Sequence, residues 1–94
     1  MATAVPVRHN AAAHRYEAVV DGRLSVCEYE DAEGRRIFTH TLVPPELRGR
    51  GVAEQLVRAA LADVRAAGLK AVPACSYVAR FIERHRGEYA DLAG

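Results

Sequence analysis

The chain has 94 residues, half of them apolar, and a formal net charge of +1. That length predicts a single domain over residues 1–94 with one modest core, near the lower limit for folding without staples. The near-neutral charge argues against a dedicated nucleic-acid binder, and the apolar runs are far too short to span a bilayer.

A short strand is expected around Val5 to His9, followed by a looser stretch from Asn10 to His14. Tyr16 to Val20 reads as a strand, and Asp21-Gly22 is a strong two-residue hairpin signal leading into a strand from Arg23 to Tyr29. Alternation along that strand puts Leu24, Val26 and Glu28 on one face and Ser25, Cys27 and Tyr29 on the other. Asp31 to Gly34 makes the next turn, and Arg36 to Val43 is a third long strand ended by Pro44-Pro45.

Beyond the prolines, Val52, Leu56, Val57, Ala60, Leu61 and Val64 recur at helical spacing, while Glu54, Arg58, Asp63 and Arg65 fall on the other side. Gly68 is a C-terminal cap. Leu69 to Ala74 reads as a short buried strand, and Tyr77 to His85 as a second helix with Val78, Phe81 and Ile82 inward. The tail from Gly87 to Gly94 is expected to pack loosely on Tyr89 and Leu92. Strand, turn, helix and strand make a βαβ unit with parallel strands. The fold class is therefore an α/β (α+β) sandwich whose mixed sheet is antiparallel early and parallel late.

Cys27 and Cys75 are the only cysteines, with no C-x-x-C pair, so neither a zinc site nor a disulfide framework is expected. Residues 1–6 lack a basic segment followed by a long apolar stretch, unlike a signal peptide. The expectation is a cytoplasmic monomer or weak dimer without membrane or nucleic-acid partners. His9, His14 and His85 lack ligand spacing and read as surface residues, so no metal is expected.

Arg48-Gly49-Arg50-Gly51-Val52-Ala53 is the stretch richest in chemistry. A glycine turn opening a helix gathers unpaired N–H groups at the positive end of the helix dipole. Two arginines accompany the glycines, a combination suited to a diphosphate.

The pattern Arg48-x-x-Gly51-x-Ala53 between a strand and a helix resembles the acyl-CoA-binding motif of the GNAT superfamily of N-acetyltransferases, Gln/Arg-x-x-Gly-x-Gly/Ala. From about residue 15 onward the chain is more specifically similar to the small YjdJ-type N-acetyltransferase domain. Phe38-Thr39-His40-Thr41, Val43-Pro44-Pro45-Glu46, Cys75-Ser76-Tyr77-Val78, Ile82-Glu83-Arg84-His85 and Glu88 to Leu92 carry that similarity. The resemblance implies a minimal GNAT-like fold and acetyl-CoA as co-substrate. Arg48, Gly49, Arg50, Gly51, Val52 and Ala53 would wrap the pyrophosphate. Leu42 and Val43 would meet the pantetheine arm through main-chain atoms.

Acetyl transfer to an amine by direct attack needs positioning, a neutral amine and a proton for the leaving thiolate. Cys75, at a strand end before a helix, is a candidate nucleophile or proton donor, with a small buried hydrophobe as the alternative. Tyr77 could protonate the thiolate, orient the amine or cap the core. His40 is a candidate base for the incoming ammonium, or a histidine bonded into a sheet edge. Where many members place a glutamate base the nearest residue is Ile37, and where many place a tyrosine acid the nearest is Phe81. Ser76 stands where the small branch has proline. The tight Asp21-Gly22 hairpin leaves no room for the helices that larger members insert, so a shallow acceptor surface is expected. It would suit a protein or peptide lysine, an N-terminus or a polyamine. An acyl-CoA-binding or sensing module without turnover is the alternative.

Overall fold

The computed structural model describes residues 5–93; the readings for residues 1–4 and 94 lie outside the described residues. Five strands form one sheet in the order β1-β2-β3-β4-β5: β1 Arg8–Asn10, β2 Arg15–Val20, β3 Arg23–Ala32, β4 Arg35–Leu42 and β5 Lys70–Pro73. Neighbours are antiparallel except β4 and β5, which are parallel. Helix α1, Val52–Ala66, supplies the crossover between that pair, and α2, Ser76–Arg84, and the single turn α3, Arg86–Tyr89, follow. This mixed sheet with its helices is the α+β arrangement of a minimal GNAT-like fold.

The hairpins form where turn chemistry demands them. Asp21 and Gly22 have φ of 51° and 73°, and Glu33 and Gly34 have 52° and 77°. Positive φ at both central residues gives the turn whose twist matches the flanking strands. Alternation then assigns faces. Tyr16 opposite Cys27 and Ala18 opposite Ser25 lie toward the helices, whereas Glu17 opposite Val26 and Val19 opposite Leu24 lie on the other face.

The register breaks in one place that matters for function. Glu28 faces His40 while Tyr29 faces Phe38, so Thr39 is an extra residue on β4. Such a bulge bends its strand and raises the local twist. Phe38 is also the last β4 residue paired with β5, opposite Pro73. The bulge thus falls where β4 leaves its parallel partner, and Thr39 to Leu42 continue without a β5 neighbour. It also resets the alternation, placing Thr41 with Cys27 on the helix side and His40 and Leu42 on the outer face.

Six α1 residues, Val52, Leu56, Val57, Ala60, Leu61 and Val64, are buried, the apolar stripe read from spacing. They meet Tyr16, Cys27, Tyr29 and Phe38 of the sheet and Val78 and Phe81 of α2 in one core. Asp63 departs from its expected solvent role. It accepts a hydrogen bond from the Tyr16 hydroxyl at 2.6 Å and pairs with the buried Arg36 at 3.1 Å. Arg36 also grips Asp31 with two bonds of 2.8 and 2.9 Å and lies over the Tyr29 ring. His9, read as a surface residue, stacks on Tyr16 and bonds the Tyr29 hydroxyl at 2.6 Å.

One boundary, the burial of β5 and the packing of the tail also differ from the sequence reading. The first strand starts at Arg8 rather than Val5, because Val5 instead uses its amide to bond the Gln55 side chain at 2.6 Å. In β5 only Ala71 is buried, since this short strand lies at the sheet edge. The tail packs closely: Tyr89 and Leu92 are buried, and Ala93 bridges to Ala71. Arg65 fastens this tail through Asp91 and the Glu88 carbonyl.

Candidate functional site

The glycine turn is shaped by two residues in the left-handed region, Gly49 at φ 81° and Gly51 at φ 79°. Side chains rarely adopt this conformation, and a Cβ on Gly49 would face open space. The Arg48 and Arg50 amides close the turn by donating to the Pro45 and Leu47 carbonyls. The first α1 bond runs from the Gln55 amide to Gly51 O at 3.1 Å. The amides of Val52, Ala53 and Glu54 therefore stand in the first helical turn, where no preceding helical carbonyl is available.

These amides open into a cleft of about 500 Å³. One wall is the end of β4 that lacks a β5 neighbour, with Thr41 and Leu42, and the following Val43; the floor is Leu47, Arg48, Gly49, Gly51, Val52, Ala53 and Glu54; Tyr77 and Arg84 of α2 close it. Seven of the eight residues proposed for cofactor binding line this space together, and so does Tyr77. The eighth, Arg50, does not. Its guanidinium donates to Asp21 at 2.6 Å and ties the β2–β3 hairpin to the glycine turn.

Arg84 is the cation that sequence reasoning missed. It sits two helical turns after Tyr77, a spacing that puts both on one face of α2. Phe81 is only 1% exposed and packs with His85 and Tyr89 in the core. Phe81 thus serves the core, and Tyr77 is the α2 phenol that lines the cleft. Burial, aided by the Glu54 charge, raises the Tyr77 pKa and keeps its proton in place.

Cys75 caps the N-terminus of α2 and is half-buried. Its amide donates to Phe38 O at 2.8 Å, one step beyond the β4–β5 pairing, which fixes the backbone beside the point of divergence. Burial alone would raise its thiol pKa. Hydrogen bonds from Thr41 and from the Val78 and Tyr77 amides outweigh burial, and the net direction is down. Cys75 Sγ lies 3.5 Å from Thr41 Oγ1. His40 is exposed on the opposite face of the sheet, across from Glu28, and is not part of the cleft lining.

The cleft fits a nucleotide-linked thioester in its donor set: backbone N–H groups and Arg48 and Arg84 for a diphosphate, and strand backbone without a β5 neighbour for an amide-bearing arm. Among the described residues no group of three His, Cys, Asp or Glu side chains could hold a metal ion. No helix among them is long and apolar enough to cross a membrane.

Comparison with known proteins agrees with this geometry. The protein named Protein NATD1 from Homo sapiens is 41% identical over 54 residues, covering 55% of this chain and 48% of that protein. The Mus musculus and Bos taurus proteins of that name are equally similar over 54 residues, covering 49% and 48% of their lengths. The chain thus spans about half the length of these curated relatives. The family described as GCN5-related N-acetyl-transferase matches residues 15–92, from the start of β2 to the last buried leucine, and the chain belongs to that family.

Proposed function

We propose that the domain is an acetyl-CoA-dependent N-acetyltransferase acting on an amine presented by a protein, a peptide or a polyamine. The observation that carries this reading is the single cleft joining the glycine turn, the end of β4 that lacks a β5 neighbour and the Tyr77 phenol. In this reading the amides of the turn and first helical turn hold the diphosphate, with Arg48 and Arg84 balancing its charge. Leu42 and Val43 offer main-chain groups to the pantetheine arm because β5 has diverged from them.

The acceptor amine approaches across the outer face of the sheet, where His40 stands ready to take the ammonium proton. The amine nitrogen bonds to the acetyl carbon and releases its second proton to solvent, the carbon–sulfur bond breaks, and Tyr77 protonates the leaving thiolate and regains its own proton from solvent. Cys75, joined to the cleft wall through Thr41, serves either as a proton donor or as a transient acetyl acceptor.

One observation favours a second reading, an acyl-CoA-binding module without turnover. Ile37 and the buried Phe81 supply neither the base nor the acid that many GNAT enzymes carry at these places. Mixing the domain with acetyl-CoA and a panel of lysine peptides and polyamines, while following free thiol, separates the two. Enzyme activity predicts thiol release that tracks amine concentration. CoA binding without release would establish the module instead.

A further inference from the structure

The Thr41 side chain lies between the two cysteine sulfurs. Its Oγ1 lies 3.5 Å from Cys75 Sγ and 3.8 Å from Cys27 Sγ, within hydrogen-bond reach of both sulfurs. The strand register explains the meeting. Thr41 is the direct cross-strand partner of Cys27, and the Thr39 bulge turns Thr41 to the helix side, where Cys27 already lies by alternation. Cys75 arrives from the other side of β4, held by its amide bond to Phe38 O. The two thiols differ in exposure: Cys27 is fully buried, whereas Cys75 is half-buried, outside the cleft lining and bonded to Thr41 of the cleft wall.

Resting on the reading that Cys75 faces the acyl group, we infer that Cys27 and Thr41 are positioning residues. They form a hydrogen-bond relay that holds the Cys75 sulfur and turns the Thr41 hydroxyl to donate a hydrogen bond to it when it is ionised. With Cys75 as a thiol, its S–H donates to Thr41 and the Thr41 hydroxyl donates on to Cys27. With Cys75 as a thiolate the direction reverses, and Cys27 S–H donates to Thr41, whose hydroxyl donates to Cys75.

Reversal requires that Cys27 keep its proton. Burial does this, pushing its thiol up to about 11. The Cys75 thiol moves the opposite way, because Thr41 and the α2 amides favour its ionised form over the cost of burial. A hydroxyl between the sulfurs can thus accept a hydrogen bond from Cys27 and donate one to the Cys75 thiolate, with every proton kept on its own heavy atom and no change in backbone. An aliphatic residue of the same shape at position 41 would remove both bonds.

The pH dependence of Cys75 alkylation by iodoacetamide tests the relay without acetyl-CoA or any acceptor. The thiolate sulfur bonds to the methylene carbon, iodide leaves, and the thiol proton passes to solvent. Peptide mass mapping assigns the label to Cys75. Thr41→Val should raise the midpoint by about one pH unit, making alkylation near neutrality about tenfold slower. Thr41→Ser should retain the wild-type midpoint, and Cys27→Ala should raise it by a smaller amount.

A Thr41→Val midpoint equal to wild type, or a Cys27→Ala midpoint equal to wild type, would overturn the relay. If Thr41→Val does not fold, Thr41→Ser and Cys27→Ala still decide: a raised midpoint in the serine variant, or none in the alanine variant, overturns it. Failure of acetyl transfer leaves this readout intact, so the two readings fail separately.

Discussion

At the scale of single residues, the site depends on details that periodicity does not show. Strict alternation from Phe38 would put His40 and Leu42 toward the helices and Thr41 outward; the extra Thr39 reverses all three. Nothing in Phe38-Thr39-His40-Thr41 announces a bulge, so the Thr41 contact with both thiols was hidden in the sequence. The glycine turn was readable because positive φ leaves a compositional mark. Arg50 was misread because its partner, Asp21, is distant in sequence. The same limit hid the Arg36 cluster, whose members come from β2, β3, β4 and α1.

That cluster carries a pH prediction. Hydrogen bonds from Arg36 hold the Asp31 carboxyl below the usual carboxylate range. A folded-state pKa below the unfolded value of about 4 stabilises the native state above that pH. The contribution is lost as pH falls from about 4 through the lower folded value. Arg36→Met should reduce stability near neutrality by about 1–3 kcal/mol, the lower part of the range reflecting how far Asp31 and Asp63 still reach water. It should also flatten the acid limb. Urea unfolding followed by circular dichroism between pH 3 and pH 7 (roughly the span over which carboxylates titrate) checks both effects, and an unchanged acid limb would assign it to other carboxylates.

At the scale of elements, α1 was the most legible because a long amphipathic pattern over-determines its face. The hairpins were equally plain from Asp21-Gly22 and Glu33-Gly34. Short elements were less so. The four residues of β5 and the single turn of α3 lack enough periods to fix their ends, which tertiary contacts decide. Because α1 both fills the core and opens the cleft, its packing and its function can be separated by position. Leu56 is wholly buried one turn beyond the cleft floor. Leu56→Ala should cost about 2–5 kcal/mol while leaving affinity for CoA near wild type under conditions where the variant is folded. A parallel loss of affinity would show that the turn is held by core packing rather than by its own geometry.

At the scale of the whole molecule, α1 and α2 pack into the core on one face of the sheet and leave the opposite face open. Val19, Leu24 and Leu42 are 60%, 42% and 50% exposed there, and Leu42 also forms part of the cleft wall. Under the proposed function β4 would divide donor from acceptor, with diphosphate and arm on the helix side and the amine on the open side. The glycine turn is what in the sequence suggests an acyl-CoA donor, and the open sheet face is what in the fold suggests an approach for an acceptor under that proposal.

The central claim is that the glycine turn is the diphosphate seat of an acyl-CoA. Calorimetric titration of CoA into the wild-type domain and into Gly51→Glu tests it most directly. A glutamate there adds a Cβ at φ 79° and a carboxylate where the diphosphate would lie. Wild type should bind saturably, and the variant, shown to be folded by circular dichroism, should lose at least about tenfold in affinity, equivalent to about 1.4 kcal/mol. Equal affinity in the folded variant would contradict the assignment of the turn.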